Sequence, residues 1–509
     1  MEDDNNIKPA LCRIILTALL FMGWWFAPPS RAFSLEDRVK EFTLDNGMRI
    51  LVVRRQSSPT FSAYIRFLAG GVDEQRGQSG TAHILEHMLF KGTETIGTTD
   101  FVKESAEMKK VEKLGEELDT ERRKGGKAEK EKIDRLENEL TAALNEQRRY
   151  IVKNEMASIY SRNGGSGFNA FTSIDTTTYV VSLPANKFEL WAWIESDRIK
   201  SPVLREYYPE RDVVLEERRR STETSPNGAL YEMFISSAFI AHPYGRPIIG
   251  WMSDISVLPK QKVAQFLKTY YSPNNAVVTI VGDIDPDYVY KTMKEYFGDI
   301  PAQTIPPRFS TVEPPRIGER RIEVEFDAEP RVMIGFHKPT MPHKDDYVFD
   351  VIHAVLTEGR TSRLYKSLVL EKGIAVSVGG YTAPGSRYDN LYVFHGTPRA
   401  PHTTKELEEA VYAELEKLKT EPISDYELQK VINNTESDFI FRLGSNSGLA
   451  RSLSEYKLLL GDWRYLTRYT DEIKKITSDD VMEAAKKYFV KSNRTVTTLV
   501  QKKKGENAK

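Results

Sequence analysis

VAQFLKTYYSPNNAVVTIVG, residues 263–282, aligns without a gap on VMEAAKKYFVKSNRTVTTLV, residues 481–500. Tyr270 matches Tyr488, Asn275 matches Asn493 and Thr279 matches Thr497. Each stretch reads as an amphipathic helix, a polar turn and an apolar strand. Helix–turn–strand units can look alike by pattern alone, but identity at the turn asparagine and again in the strand favours duplication. We therefore read two similar α/β domains, about 36–305 and 317–503, each closed by one copy of the unit. Between them, Pro301 to Pro315 holds five prolines and little periodic pattern, and the linker is assigned to 306–316.

Working outward, 509 residues exceed what one core sustains. A 40% hydrophobic, 28% charged composition is that of a soluble globular chain. Its net charge of −1 gives no reason to expect nucleic acid or an anionic membrane as the main partner. Ile14 to Ala27 is almost unbroken in apolar residues and is followed by Pro28, Pro29 and Ser30-Arg31-Ala32. Such a run rises about 21 Å as a helix, short of a hydrocarbon core of about 30 Å. Residues 1–32 read as a cleaved secretory signal. Glu2, Asp3 and Asp4 are unusual for its leading end and keep an uncleaved anchor open as the alternative. Cys12, the only cysteine, would leave with the signal, so no disulfide, thiolate zinc site or cysteine nucleophile is expected. Export without cysteines points to a periplasm.

Phe42 to Arg54, Phe61 to Phe67 and Val277 to Val281 read as strands; Gly80 to Phe90 and Leu190 to Ile199 read as helices. Lys103 to Tyr150 interrupts the first domain with 13 basic and 13 acidic residues. Val111, Leu114 and Leu118, then Ile133, Leu136, Leu140 and Leu144, fall at three- and four-residue spacing around Gly125-Gly126. The expectation is an inserted helical hairpin over 103–150 with a narrow apolar seam, its charge that of a solvated spacer unless it docks a partner.

The chemistry sits in Gly80-Thr81-Ala82-His83-Ile84-Leu85-Glu86-His87-Met88-Leu89-Phe90. Residues four apart share a helix face, so His83 and His87 can converge on one cation. Neutral imidazole suits Zn²⁺, and Glu86 is placed to serve as general base towards an activated water. Chance gives about 0.02 occurrences of H-x-x-E-H in a chain of this composition, so two idle surface histidines are the poorer reading. The other six histidines lack such spacing.

These residues resemble the inverted zinc-motif peptidases, the group of pitrilysin, insulin-degrading enzyme and mitochondrial processing peptidase. The resemblance covers nearly all of the chain after the signal. His83 to Thr93 is similar to the family's signature block, Phe168 to Ser173 to its substrate strand, and Glu210 to Glu217 to its third-ligand helix. It implies an α+β fold of two homologous domains, each a mostly antiparallel sheet with helices packed on one face. It implies one zinc per chain held by His83, His87 and Glu217, with Glu210 as supporting residue and Glu86 as catalytic base. Glu216 competes with Glu217, but seven residues are two helical turns and set Glu210 and Glu217 on one face. Asn169, Ala170 and Phe171 are expected to bind substrate as an added strand.

The second half carries no H-x-x-E-H. Where related enzymes supply an arginine and, seven residues on, a tyrosine, Val369 and Val376 stand, and neither can donate a hydrogen bond. The expectation is a heterodimer with a zinc-free homologue that supplies the pair, or else a homodimer in which Tyr381 or Arg387 substitutes. Function is read as zinc-dependent endopeptidase action on peptides or unfolded segments. The alternative is a non-catalytic scaffold or peptide-binding subunit, which intact Glu86 disfavours.

Overall fold

The apolar run around Val278 becomes the centre of a sheet, because every residue of its strand is buried and neighbours cover both its edges. The computed structural model describes residues 35–307 and 311–502; the expected signal segment and Cys12 lie outside them. The first sheet comprises β1 (Val39–Thr43), β2 (Arg49–Arg54), β3 (Thr60–Phe67), β4 (Ser166–Thr172), β5 (Thr177–Pro184) and β6 (Ala276–Gly282) in the order β1-β2-β6-β3-β5-β4. The second comprises β7 (Arg320–Phe326), β8 (Arg331–Lys338), β9 (Ala375–Ala383), β10 (Asn390–Pro398) and β11 (Arg494–Gln501) in the order β7-β11-β8-β10-β9.

The ladders repeat each other. β2 runs parallel to β6 as β7 does to β11, while β6-β3-β5-β4 and β11-β8-β10-β9 are antiparallel throughout. Thr279 lies opposite Tyr64, and its counterpart Thr497 opposite Met333. Followed across the strands, this register makes Phe171 the positional equivalent of Tyr381. The turn asparagines do the same work twice. Asn275 donates to the carbonyls of Tyr270 and Leu68, and Asn493 to those of Tyr488 and His337. Each amide ties the end of its helix to the neighbouring strand, which accounts for its recurrence in the repeat.

One strand reading needs correction. Phe42 to Arg54 is not continuous: Leu44 to Met48 forms a turn between β1 and β2. Gly47 takes φ 85°, and the Asn46 side chain donates to the carbonyls of Phe297 and Ile300. An Asn-Gly pair inside an apolar run is a turn signal, and here it prevails over the run.

The helices that position the site and close the sheets are α1 (Thr81–Met88), α2 (Phe101–Arg122), α3 (Lys130–Arg148), α4 (Tyr207–Arg218), α5 (Pro226–Ala238), α6 (Lys260–Tyr270), α7 (Lys344–Leu356), α8 (Asn446–Leu460) and α9 (Ser478–Tyr488). Each sheet has one core on its helical face, and a third apolar cluster joins the halves. The halves also exchange a helix. α5, from the first, lies on the second sheet, where the Phe234 ring fits flush on Gly335; a Cβ there would stand 2.4 Å from the ring. α8, from the second, lies on β3 and β6, with Ser447 hydrogen-bonded to Tyr64 and Ser454 to Arg66. Among the described residues, no helix is long and apolar enough to cross a membrane.

Candidate metal centre

Helix α1 is amphipathic in the simplest way. Ala82, Ile84, Leu85 and Met88 enter the core, which turns His83, Glu86 and His87 to the opposite, half-buried face. Its start is pinned by buried Glu74, whose carboxylate accepts the N–H groups of Gly80 and Ala82 at 3.0 and 2.8 Å. Those oxygens satisfy otherwise orphaned donors at the helix start, and burial raises the group's pKa to about 8 against the pull of the two N–H bonds.

The two imidazoles lie 4.8 Å apart, centroid to centroid. Glu217, reaching over from α4, sets its two carboxylate oxygens 3.7 Å from His83 Nε2 and 3.5 Å from His87 Nε2. These separations are too long for hydrogen bonds. They are close to the roughly 3.4 Å between neighbouring donors around a tetrahedral zinc with bonds of about 2.1 Å. His83, His87 and Glu217 are also the one group of histidine and acidic side chains among the described residues whose donor atoms converge tightly enough to hold a metal ion. The donor set therefore fits zinc. Glu216 points elsewhere and pairs with Arg219 and Arg220 at 2.6 and 3.1 Å.

Glu210, two turns before Glu217, lies 2.9 Å from His87 Nδ1, which leaves Nε2 of that ring for a cation. Lys91 Nζ holds the other oxygen of Glu210 at 2.6 Å. Burial alone would raise the Glu210 carboxyl, but His87 and Lys91 outweigh it and hold its pKa at about 2. Burial lowers His87, and the hydrogen bond and charge of Glu210, with Glu217 and Glu86, reverse this and leave it raised. Burial and His87 push His83 down to about 4, so it is neutral at ordinary pH. Its Nδ1 is buried with no hydrogen-bond partner among the described residues.

Glu86 receives a hydrogen bond of 2.6 Å from Thr172 Oγ1, at the end of β4. Burial raises its pKa, with Thr172 and His87 pulling the other way. β4 is the edge strand, paired on one side only. It starts at Ser166, inside the glycine-rich run Asn163-Gly164-Gly165-Ser166-Gly167, with an irregular register between Ser166 and Asn169. Asn169 is exposed at that edge, Ala170 faces the core, and the Phe171 ring has the guanidinium groups of Arg66 and Arg451 about 6 Å from its centre. Phe168 packs with Phe90 and Tyr160 around buried Arg198, fixing β4 against the end of the motif. Thr172 and Lys91 lie inside the blocks that carry the resemblance but were given no role there; only the fold shows that they reach Glu86 and Glu210.

In the second half, Val369 packs beside the core and Val376 is exposed at the start of β9. Arg387 forms an ion pair with Asp73 at 3.2 Å, which commits it to the junction between the halves.

Residues 49–110 and 142–251 match Insulinase (Peptidase family M16), and residues 258–435 match the Peptidase M16 inactive domain. The chain is 28% identical over 465 residues to a zinc protease, PqqE, of Helicobacter pylori, covering 90% of this chain and 91% of that one. It is 22% identical to an uncharacterized zinc protease, YmxG, of Bacillus subtilis, over 89% and 96% of the two chains. Among solved structures it superposes on a protease from Helicobacter pylori with a TM-score of 0.76 and 27% identity, covering 91% of this chain and 99% of that one. With family matches across both halves and this likeness over nearly its whole length, the chain belongs to the M16 peptidase family.

Proposed function

We propose that this chain is a zinc-dependent endopeptidase with one zinc held by His83, His87 and Glu217. The observation that carries the reading is the convergence of two imidazoles and the Glu217 carboxylate, whose ligand atoms lie within 4.8 Å of one another, with Glu86 on the same helix face. Bound zinc supplies Lewis acidity towards a carbonyl and lowers the pKa of water at the site. Glu86 takes a proton from the attacking water and returns it to the leaving amine nitrogen. Its half-buried setting and raised pKa suit a group that must both accept and release that proton. Thr172 fixes the carboxylate, and Glu210 holds the tautomer of His87. The open edge of β4 would receive an extended peptide through backbone hydrogen bonds, with Asn169 and Phe171 beside it and Ala170 contributing main chain alone.

Absence of donors at Val369 and Val376 supports assembly with a zinc-free homologous subunit that provides them, and export to a periplasm is the setting proposed from the apolar run before residue 33. A scaffold role without catalysis is the second reading, favoured by those two valines and opposed by Glu86. Zinc content and cleavage of an unstructured peptide library, with and without a partner, separate the two. The proposal predicts zinc in both wild type and Glu86→Gln and cleavage by wild type only; zinc binding with no cleavage under any condition would favour the scaffold.

A further inference from the structure

The charged hairpin α2–α3 was expected as a solvated spacer, yet it is built into the side of α4. The family match breaks off at 110 and resumes at 142, so the tip of the hairpin lies outside the matched part of the fold. Three contacts join it to the elements that bear the metal site. Asp119 on α2 receives both ends of the Arg211 guanidinium at 2.7 and 2.8 Å, and both side chains are almost fully buried. Arg211 adjoins Glu210 in sequence and lies about 100° around the helix from it. Gly115 faces Tyr208 so closely that a Cβ would stand 2.0 Å from the ring. Glu104, fully buried, receives Arg205 Nε at 2.8 Å. The remaining Arg205 nitrogens donate to the carbonyls of Lys91, Thr93 and Ile96, in the loop that leaves α1. One guanidinium thus ties together the hairpin, the loop after the two histidines and the approach to α4.

A chain of ion pairs continues the connection at the other end of the hairpin. Arg148 lies 3.4 Å from Glu206, Lys91 lies 3.7 Å from Glu206 and 2.6 Å from Glu210, and Glu210 reaches His87 Nδ1. A spacer would be joined by exposed, interchangeable pairs, each adding little. Buried bidentate pairs cost desolvation and tolerate one geometry. Glycine in the middle of a helix is unfavourable unless close approach requires it. The Arg211 pair and the Gly115–Tyr208 contact fix the hairpin to α4, and Arg205 ties the hairpin to the loop that leaves α1, so together they set α4 relative to α1.

We infer that the α2–α3 hairpin is a positioning element for the metal centre, clamping α4 so that Glu217 and Glu210 meet His83 and His87, and thereby setting the affinity for zinc. The inference rests on the zinc reading of the site. The test measures zinc affinity by chelator competition on the full chain, with the melting curve of each metal-free variant as the check on folding. Asp119→Asn and Gly115→Ala are expected to weaken zinc by about tenfold or more, the scale of lost support behind a ligand. Arg148→Gln, on the more exposed arm, should weaken it about threefold, the scale of an exposed pair. Leu415→Ala, buried in the second core, destabilises the fold and should leave zinc affinity unchanged. Wild-type affinity in folded Asp119→Asn and Gly115→Ala overturns the inference, as does wild-type affinity in Arg148→Gln should the other two not fold. An equal loss in Leu415→Ala overturns it too, since general destabilisation would then explain everything. If His83→Ala does not weaken zinc in an otherwise wild-type chain, the zinc reading itself has failed, a result distinct from all of these.

Discussion

The two halves of this chain share a sheet, a strand register and a turn asparagine, and differ in nearly everything that bears on chemistry. After β3 the first half runs into α1, with its two histidines and glutamate, whereas after β8 the second runs into α7, where His353 stands without a second histidine in spacing. Phe171 lies beside two arginines; its positional equivalent Tyr381 lies beside His395. The first half carries the braced hairpin where the second has only the short helical segment Tyr365–Glu371. What was kept in both is what closes a sheet: the twin asparagine bonds and the helix each half lends the other. What was kept in one is a set of side chains that costs stability, because half-buried histidines and carboxylates gain little for folding by themselves. The architecture is duplicated and the site is not.

The comparison breaks hardest at the third ligand. Glu217→Gln is expected to weaken zinc by about a hundredfold or more, beyond the loss typical of a supporting residue, while Glu216→Gln leaves it unchanged. Equilibrium dialysis against a chelator measures both, and the opposite pattern would transfer the role to Glu216. Glu210→Gln should cost about 10–100-fold in the same assay, because His87 loses the partner that holds its tautomer.

The shared architecture predicts a parallel pair of losses. Asn275→Ala and Asn493→Ala each strand two main-chain carbonyls, and chemical denaturation should show each costing about 1–3 kcal/mol. Asn275 is fully buried and should lie at the upper end. Neither should change zinc affinity; a loss confined to one half would mean that the matching bonds are not equivalent in weight.

The smallest effect concerns pH. His87 is raised above its ordinary 6.5 in the metal-free fold, so it binds a proton more tightly folded than unfolded. Its stabilising contribution is full below 6.5 and is lost as pH rises through the raised value. The melting difference between metal-free wild type and His87→Gln should therefore be larger at about pH 5.5 than at about pH 8.5. A difference that grows with pH would contradict the assigned sign.

Much of this was legible before any coordinates. The repeat was visible because a side-chain amide that must cap one helix and reach one strand leaves few substitutes. The motif was visible because helical geometry alone makes residues 83 and 87 neighbours, and the step from 210 to 217 already distinguished two adjacent glutamates. The hairpin was legible as a hairpin but not as a brace. Asp119 and Glu104 read as solvated charges with the rest of the hairpin, Arg205 and Arg211 had no reading of their own, and only pairing across the fold reveals that all four are buried. The exchange of α5 and α8 left no local trace either, since an amphipathic helix does not specify which sheet it covers. Asn46-Gly47 was the one signal present and outweighed, by the apolar residues on either side.

The most direct test is anomalous diffraction at the zinc edge from crystals of the zinc-loaded chain. The account predicts one strong peak per chain, at about 2.0–2.2 Å from His83 Nε2, His87 Nε2 and a Glu217 oxygen, with none in the second half. A peak held by Glu216, a peak in the second half, or no peak between the two histidines would contradict it.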